Sequence, residues 1–380
     1  MNKPVYFDNA ATTQIRDEVV KQITKIMQEN YGNASSSHSF GRASKALVEN
    51  ARKSIAKHLN VSAGEIVFTA GGTEADNLVL RSAVKDLGVT EIITSKIEHH
   101  AVLHTVEALQ KEFNLKVKYV NLNASGDIDY SHLETLLQST NKQLVSLMHI
   151  NNEIGNILDI KRVGELCLAN NALFHSDTVQ SVGHYKLDLK NISIDFMAVS
   201  AHKFHGPKGV GFAYIKKNSG LKPLIIGGEQ ERGLRAGTES IHNIVGMAEA
   251  LNCAYKNLEA ESNYIKHLKH YFINSIKSHL PNASFNGNSG NLEKSTYTII
   301  NVCLPFSVAL TSTILFQLDL KGIACSRGSA CQSGSIKPSH VLAQILNAED
   351  QKKPSLRFSL SKFNTKDEID YVVNVLKEFA

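Results

Sequence analysis

Phe196-Met197-Ala198-Val199 runs straight into Ser200-Ala201-His202-Lys203 and then into His205-Gly206-Pro207-Lys208-Gly209. The apolar run, which opens at Ile194 and holds one aspartate, reads as a buried strand, and the glycines and proline after it read as a turn. An amine thus stands where a core strand leaves a sheet, which is where α/β proteins bind ligands. Upstream, Ala172-Leu173-Phe174-His175-Ser176-Asp177 is a second strand, and it ends in a carboxylate.

The same alternation extends outward. Helical spacing predicts helices over 40–59, 73–87 and 99–113, and strands are predicted over 65–69, 92–94, 117–120, 144–149 and 211–215. Short apolar runs separated by helices imply parallel βαβ units, so the expected fold class is α/β. A charged helical stretch over 241–280 leads to a second part of mixed character. Mixed strands and helices are predicted there over 298–302, 309–318, 356–360 and 366–379.

With 380 residues and 42% hydrophobic content, the chain exceeds one compact core, and two domains are expected. A net charge of +5 without long basic runs gives no sign of nucleic-acid or membrane binding. The five cysteines (Cys167, Cys253, Cys303, Cys325, Cys331) are odd in number and dispersed, which fits a reducing compartment rather than a disulfide framework. No signal peptide or membrane-length apolar stretch is evident, so a cytoplasmic protein is expected.

Lysine and aspartate at neighbouring strand ends are the pair that pyridoxal 5'-phosphate requires. The amine forms a Schiff base with the aldehyde, and the carboxylate keeps the pyridine nitrogen protonated. Gly71-Gly72-Thr73 joins a strand to a helix; backbone there can approach a phosphate, and Thr73 can cap the helix, although taken alone the motif reads better as an ordinary tight turn with an N-cap. Glu98-His99-His100-Ala101-Val102-Leu103-His104 opens a helix after a strand, and an imidazole there could stack on a flat cofactor and move protons. His100 and His104, one turn apart, raise a metal site as a rival, but the sequence shows no further ligand cluster. Asn151 and Asn152 end a strand and could recognise a carboxylate or a ring oxygen, or form a polar turn. Gly328-Ser329-Ala330-Cys331-Gln332-Ser333-Gly334 predicts a mobile loop around a lone thiol, with Arg327 and Lys337 placed to favour the thiolate; Cys325 is the likelier core residue.

Taken together these segments resemble the cysteine desulfurases, pyridoxal phosphate enzymes of fold type I. The most specific matches are Gly71-Gly72-Thr73-Glu74-Ala75-Asp76-Asn77, Asn151-Asn152-Glu153-Ile154-Gly155, Ser200-Ala201-His202-Lys203, Arg235-Ala236-Gly237-Thr238 and Gly328-Ser329-Ala330-Cys331. The resemblance implies a large domain over 15–255, with a mainly parallel seven-stranded sheet flanked by helices. It also implies a smaller α+β domain made of 1–14 and 256–380, which carries a cysteine loop at about 326–337.

It implies roles as well. Lys203, Cys331 and His99 would be catalytic. Gly72, Thr73, Ser200 and His202 would seat the phosphate, with Thr238 reaching the phosphate of a partner subunit in a homodimer. Asp177 would meet the pyridine nitrogen, Gln180 the ring hydroxyl, and His99 the ring face. Asn152, also near the cofactor, and Arg357 would hold the carboxylate of L-cysteine. Cys331 would take the sulfur as a persulfide, leave alanine, and pass the sulfur to a protein of iron–sulfur assembly or tRNA thiolation. Many relatives that feed iron–sulfur scaffolds continue past the point corresponding to Ala380 with a docking tail. The alternatives are a selenocysteine lyase or another class-V transaminase-like enzyme and, from a different class, a non-catalytic sulfur-relay partner.

Overall fold

The computed structural model describes residues 4–328 and 339–380. Strand β1 (Val5–Tyr6) and helices α1 (Asp17–Glu29) and α2 (Ser39–Leu59) open the chain. An alternating series follows: β2 (Ile66–Thr69), α3 (Gly72–Lys85), β3 (Glu91–Thr94), α4 (His100–Phe113), β4 (Lys116–Tyr119), α5 (Tyr130–Leu137), β5 (Gln143–Ser146), α6 (Ile160–Ala169), β6 (Leu173–Asp177), β7 (Phe196–Ser200) and β8 (Gly211–Ile215). The remainder is α7 (Ile241–Lys256), α8 (Leu258–His279), β9 (Ser284–Phe285), β10 (Ile299–Cys303), α9 (Ile314–Leu320), β11 (Ile323–Ala324), α10 (Leu342–Ile345), β12 (Ser355–Ser359) and α11 (Lys366–Lys377).

Seven strands form one sheet in the order β2-β8-β7-β6-β5-β3-β4. All pairings are parallel except those of β8, which runs antiparallel to both β2 and β7. Strands β2, β5, β7 and β8 are buried along their whole length, as expected of strands covered on both faces. One face packs against α2 and α7 through Val48, Ile55, Met247 and Leu251, the other against α3 and α4 through Leu78, Val79, Val102 and Val106.

A second core gathers around α8, α11, β10 and β12. Phe7, just after β1, packs its ring 5.6 Å from Phe272 of α8, which lies 5.1 Å from Phe358 of β12. The helical stretch over 241–280 is two helices rather than one. At Asn257 the side chain donates back to the Cys253 carbonyl at 3.0 Å, a local bond that competes with helix continuation.

Candidate active site

Because β2, β3, β5, β6 and β7 run parallel, their carboxyl ends share one edge of the sheet, and a cavity of about 750 Å³ opens there. The segment after β2 brings Gly71, Gly72 and Thr73, and the segment after β3 brings His99. Met148 and Asn152 follow β5, Asp177 ends β6 with Gln180 close behind, and β7 ends in Ser200 with His202 and Lys203 next. Two contributions come from the other core: Ala10, Ala11 and Thr12 beyond β1, and Arg357 from β12.

Lys203 sits on a single 3-10 turn, Ala201–Lys203, that stops β7. Its Nζ donates to the carbonyls of Ala10 at 2.6 Å and Ala11 at 2.9 Å. Gln180 Nε2 donates to the same Ala10 carbonyl at 3.0 Å. Asp177 is buried, and its Oδ1 accepts from the Val179 N–H at 2.9 Å. Burial pushes its pKa up to about 6, against the lowering effects of that N–H and of Lys203.

His99 is the N-cap of α4, its Nδ1 accepting from the Ala101 N–H at 3.1 Å. Burial, and then the charge of Lys203, hold its pKa down to about 4, so the ring is neutral at physiological pH. An accepting Nδ1 leaves the proton on Nε2. His202 is likewise held to about 4, chiefly by burial, and its Nδ1 lies 3.2 Å from Thr12 Oγ1.

Helix α3 begins at Gly72, with Gly71 as its N-cap at φ +155° and no side-chain cap bond. This corrects the expectation that Thr73 caps the helix: Thr73 lies inside the first turn, and its side chain leaves the leading N–H groups uncapped. A Cβ at Gly72 would come within 2.6 Å of Val179 Cγ2, so only glycine keeps this backbone against the turn that follows Asp177.

Arg357 is 1% exposed. Its Nη2 donates to Asp8 Oδ1 at 2.7 Å and its Nη1 to the Asn152 carbonyl at 2.8 Å, while its Nε is buried without a hydrogen bond. The two adjacent asparagines have separate jobs. Asn151 is internal, bonding the Ile97 carbonyl and the N–H groups of Glu153 and Ile154, whereas Asn152 faces the cavity.

Beneath Asp177 lies a layer that the sequence reading missed. Asp76, also a cavity residue, is buried with its Oδ1 3.3 Å from His175 Nε2, and His175 Nδ1 lies 2.9 Å from Ser146 Oγ. Burial first, then Asp177 and Glu98, push Asp76 well above the usual carboxylate range; burial also raises Glu98 well, against the Met148 N–H that bonds it, and holds His175 to about 3. Asp76 stood within the glycine-turn motif, but no local signal marked it as buried. The backbone at 10–11 was likewise missed, since a carbonyl carries no side-chain signature.

Thr238 is exposed and lies outside this cavity. The rings of His100 and His104 stack at 4.7 Å, with His340 at 4.4 Å from His100, and among the described residues no group of three or more His, Cys, Asp or Glu is placed to hold a metal. Cys331 and most of its predicted loop lie outside the described residues. Burial pushes the thiol of Cys325 well up, which leaves it inert as a thiolate.

Residues 5–372 match the aminotransferase class-V family. Cysteine desulfurase IscS of Clostridium botulinum (strain Kyoto / Type A2) is 43% identical, across 99% of this chain and 94% of that protein. The solved structure of a NifS-like protein superposes with a TM-score of 0.90 at 35% identity, covering 99% of both chains. A structure described as SspA in complex with cysteine gives a TM-score of 0.81 at 31% identity, over 95% of this chain and 100% of that one. Strand-end lysine, strand-end aspartate and glycine turn thus occur in a chain that belongs to the aminotransferase class-V family, among its cysteine desulfurases.

Proposed function

We propose that this protein is a pyridoxal phosphate-dependent cysteine desulfurase that converts L-cysteine to L-alanine and keeps the sulfur as a persulfide on Cys331. The carrying observation is the convergence of Lys203, buried Asp177 and Arg357 on one cavity. The binding of cysteine by the related SspA supports the choice of substrate.

The residues present fit the cofactor. Gly71 and Gly72 line the cavity at the start of α3, which carries no side-chain cap bond, and such a helix N-terminus suits a phosphate. Thr73, Ser200 and His202 stand around that turn. Asp177, buried and uncompensated except by Lys203 and one N–H, needs a proton donor such as a pyridinium. Gln180 would meet the ring hydroxyl, and neutral His99 offers a flat face without a competing charge. Bound there, pyridoxal phosphate supplies an electron sink for the charge left on the substrate α-carbon.

The chain's own residues divide the work. Lys203 holds the cofactor through its amine and moves the α-proton. Arg357 and Asn152 orient the substrate carboxylate, a task for which a planar guanidinium is suited. The Cys331 thiolate bonds to the substrate sulfur as the carbon–sulfur bond breaks. The electron pair of that bond stays with carbon, which is protonated to alanine, so no external oxidant enters.

Further features of the reading concern assembly. Leu224 at the cavity rim and Ile225 and Ile226 beside it are exposed, which supports a homodimer whose partner covers this edge and receives Thr238 at its phosphate. The two cores support division into 15–255 and 1–14 with 256–380. Among the described residues no helix is long and apolar enough to cross a membrane. A cytoplasmic site, and a sulfur acceptor in iron–sulfur assembly or tRNA thiolation, complete the proposal.

The test is mass spectrometry after incubation with L-cysteine. One extra sulfur on the peptide containing Cys331 is expected, lost in Cys331→Ser. Added sulfur on Cys325, or none, overturns the reading.

A further inference from the structure

Segment 10–16 crosses between the two cores: Phe7 before it belongs to one, and Val19 after it to the other. Both of its ends are tied down. Asn9 Nδ2 donates to the Ser359 carbonyl at 2.8 Å and the Ala10 N–H to Ser359 Oγ at 2.8 Å, on the strand that also carries Arg357. At the other end Arg16, fully buried, forms a bidentate pair with Glu261 of α8 at 2.7 and 2.6 Å. A segment anchored at both ends has little backbone freedom left.

Between its anchors the segment lies against the turn that presents Lys203. The Thr13 N–H and hydroxyl both donate to the His202 carbonyl, at 2.9 Å each, and the same hydroxyl accepts from the His205 N–H at 2.8 Å. One side-chain oxygen thus bridges the residue before Lys203 and the residue two after it. The Gln14 carbonyl lies 2.7 Å from His205 Nδ1, and the Arg16 N–H donates to the His205 carbonyl at 3.2 Å. His205 adopts left-handed backbone at φ +67°, uncommon for a residue with a side chain, and these bonds hold it there. The His202 ring is met separately, by Thr12 Oγ1 at 3.2 Å. Thr13 itself is buried outside the cavity, so it acts on the site only through the turn.

We propose that Thr13 is a positioning residue for Lys203: its hydroxyl locks the turn on both sides of the lysine and so fixes where the amine stands relative to Arg357 and the cofactor seat. The inference rests on the reading of Lys203 as the residue that holds pyridoxal phosphate. A hydroxyl is suited to the task because it donates and accepts at once; valine fills the same space and does neither, which leaves the buried His205 N–H without its partner.

The test separates covalent attachment from seating. Stripped protein is mixed with pyridoxal phosphate, and attachment to Lys203 is followed by absorbance and by borohydride trapping with peptide mass spectrometry. Seating alone is the affinity of Lys203→Ala for pyridoxal phosphate, measured by equilibrium dialysis. A misplaced reacting group costs on the order of 10- to 100-fold, so Thr13→Val is expected to slow attachment by about that factor. Thr13→Ser, which keeps the hydroxyl, should stay within about threefold of wild type. T13V/K203A should bind the cofactor within about twofold of K203A, because the glycine turn and the His202 ring are untouched. Tyr6→Phe loosens the same segment by removing the bond from Tyr6 Oη to the Thr12 carbonyl at 2.8 Å, and serves if T13V does not fold. It should slow attachment by about two- to tenfold, the worth of one hydrogen bond. A wild-type protein that takes no cofactor onto Lys203 sinks the parent reading and this one together. With wild type loading normally, an unchanged rate in T13V (or in Y6F where T13V does not fold) overturns the clamp alone. So does an equal loss of rate in T13S, or a loss of affinity in T13V/K203A as large as the loss of rate.

Discussion

Lys203 Nζ donates to the carbonyl oxygen of Ala10 at 2.6 Å, although 193 residues separate them. The amine at the end of a central strand is thereby aimed by backbone from the N-terminal segment, whose neighbour Phe7 belongs to the second core. A lysine held on two carbonyls has its amine fixed at the cavity, where it can meet an aldehyde.

The first prediction follows from that aim. Borohydride treatment of the purified yellow protein should bleach it and leave a reduced cofactor adduct on the peptide containing Lys203. In Lys203→Ala the phosphate seat is intact but no adduct should form. Peptide mass spectrometry reads the result, and an adduct on any other lysine contradicts the assignment.

Asp177 gives a pH-dependent prediction. Its folded pKa is about 6, above the ordinary 3.8, because burial disfavours the anion. The folded state therefore binds its proton more tightly than the unfolded state. The stability this confers on the cofactor-free protein is complete below about pH 4 and is lost as pH rises through about 6. Asp177→Asn should raise the melting temperature of the cofactor-free protein at pH 7.5, have little effect near pH 4, and weaken cofactor affinity. Thermal scans of the stripped proteins across this range decide it; a lower melting temperature at pH 7.5 would contradict the sign.

Arg357 is shared between Asp8 and the Asn152 carbonyl, so its guanidinium is held flat at the cavity wall. Arg357→Gln should lower kcat/KM for L-cysteine by about 2–5 kcal/mol, the usual range for truncating a buried, hydrogen-bonded charge. The loss should be specific to the carboxylate. The preference of the wild type for cysteine over cysteamine, which lacks that group, should shrink in the variant, and competition kinetics measure the ratio.

Stability away from the site has its own marker. Arg52 and Glu231 form a buried bidentate pair at 2.6 and 2.8 Å, and Arg52 also bonds the Ile66 carbonyl and stacks on Phe68 at 4.4 Å. Glu231 and Arg232 adopt left-handed backbone at φ +49° and +59°, a conformation that this pair helps to hold. Arg52→Ala should destabilise the protein by about 3–5 kcal/mol, since it strands a buried carboxylate. Urea unfolding provides the value, and a change below about 1 kcal/mol would show that Glu231 finds other partners.

The sequence by itself settled what depends on short range. Apolar runs ending in Lys203 and Asp177, and the glycine pair at 71–72, report strand ends and a close backbone turn within a few residues, and periodicity and turn chemistry act over that distance. The reversed strand β8 and the break at Asn257 depend on sheet pairing and on one side-chain bond, which hydrophobic patterning does not encode. Only the tertiary structure decided what crosses between the cores: Ala10 against Lys203, Asp8 against Arg357 over 349 residues, and Glu153 against Ser339. These contacts form when two separately patterned cores pack together, so their partners carry no common signal along the chain.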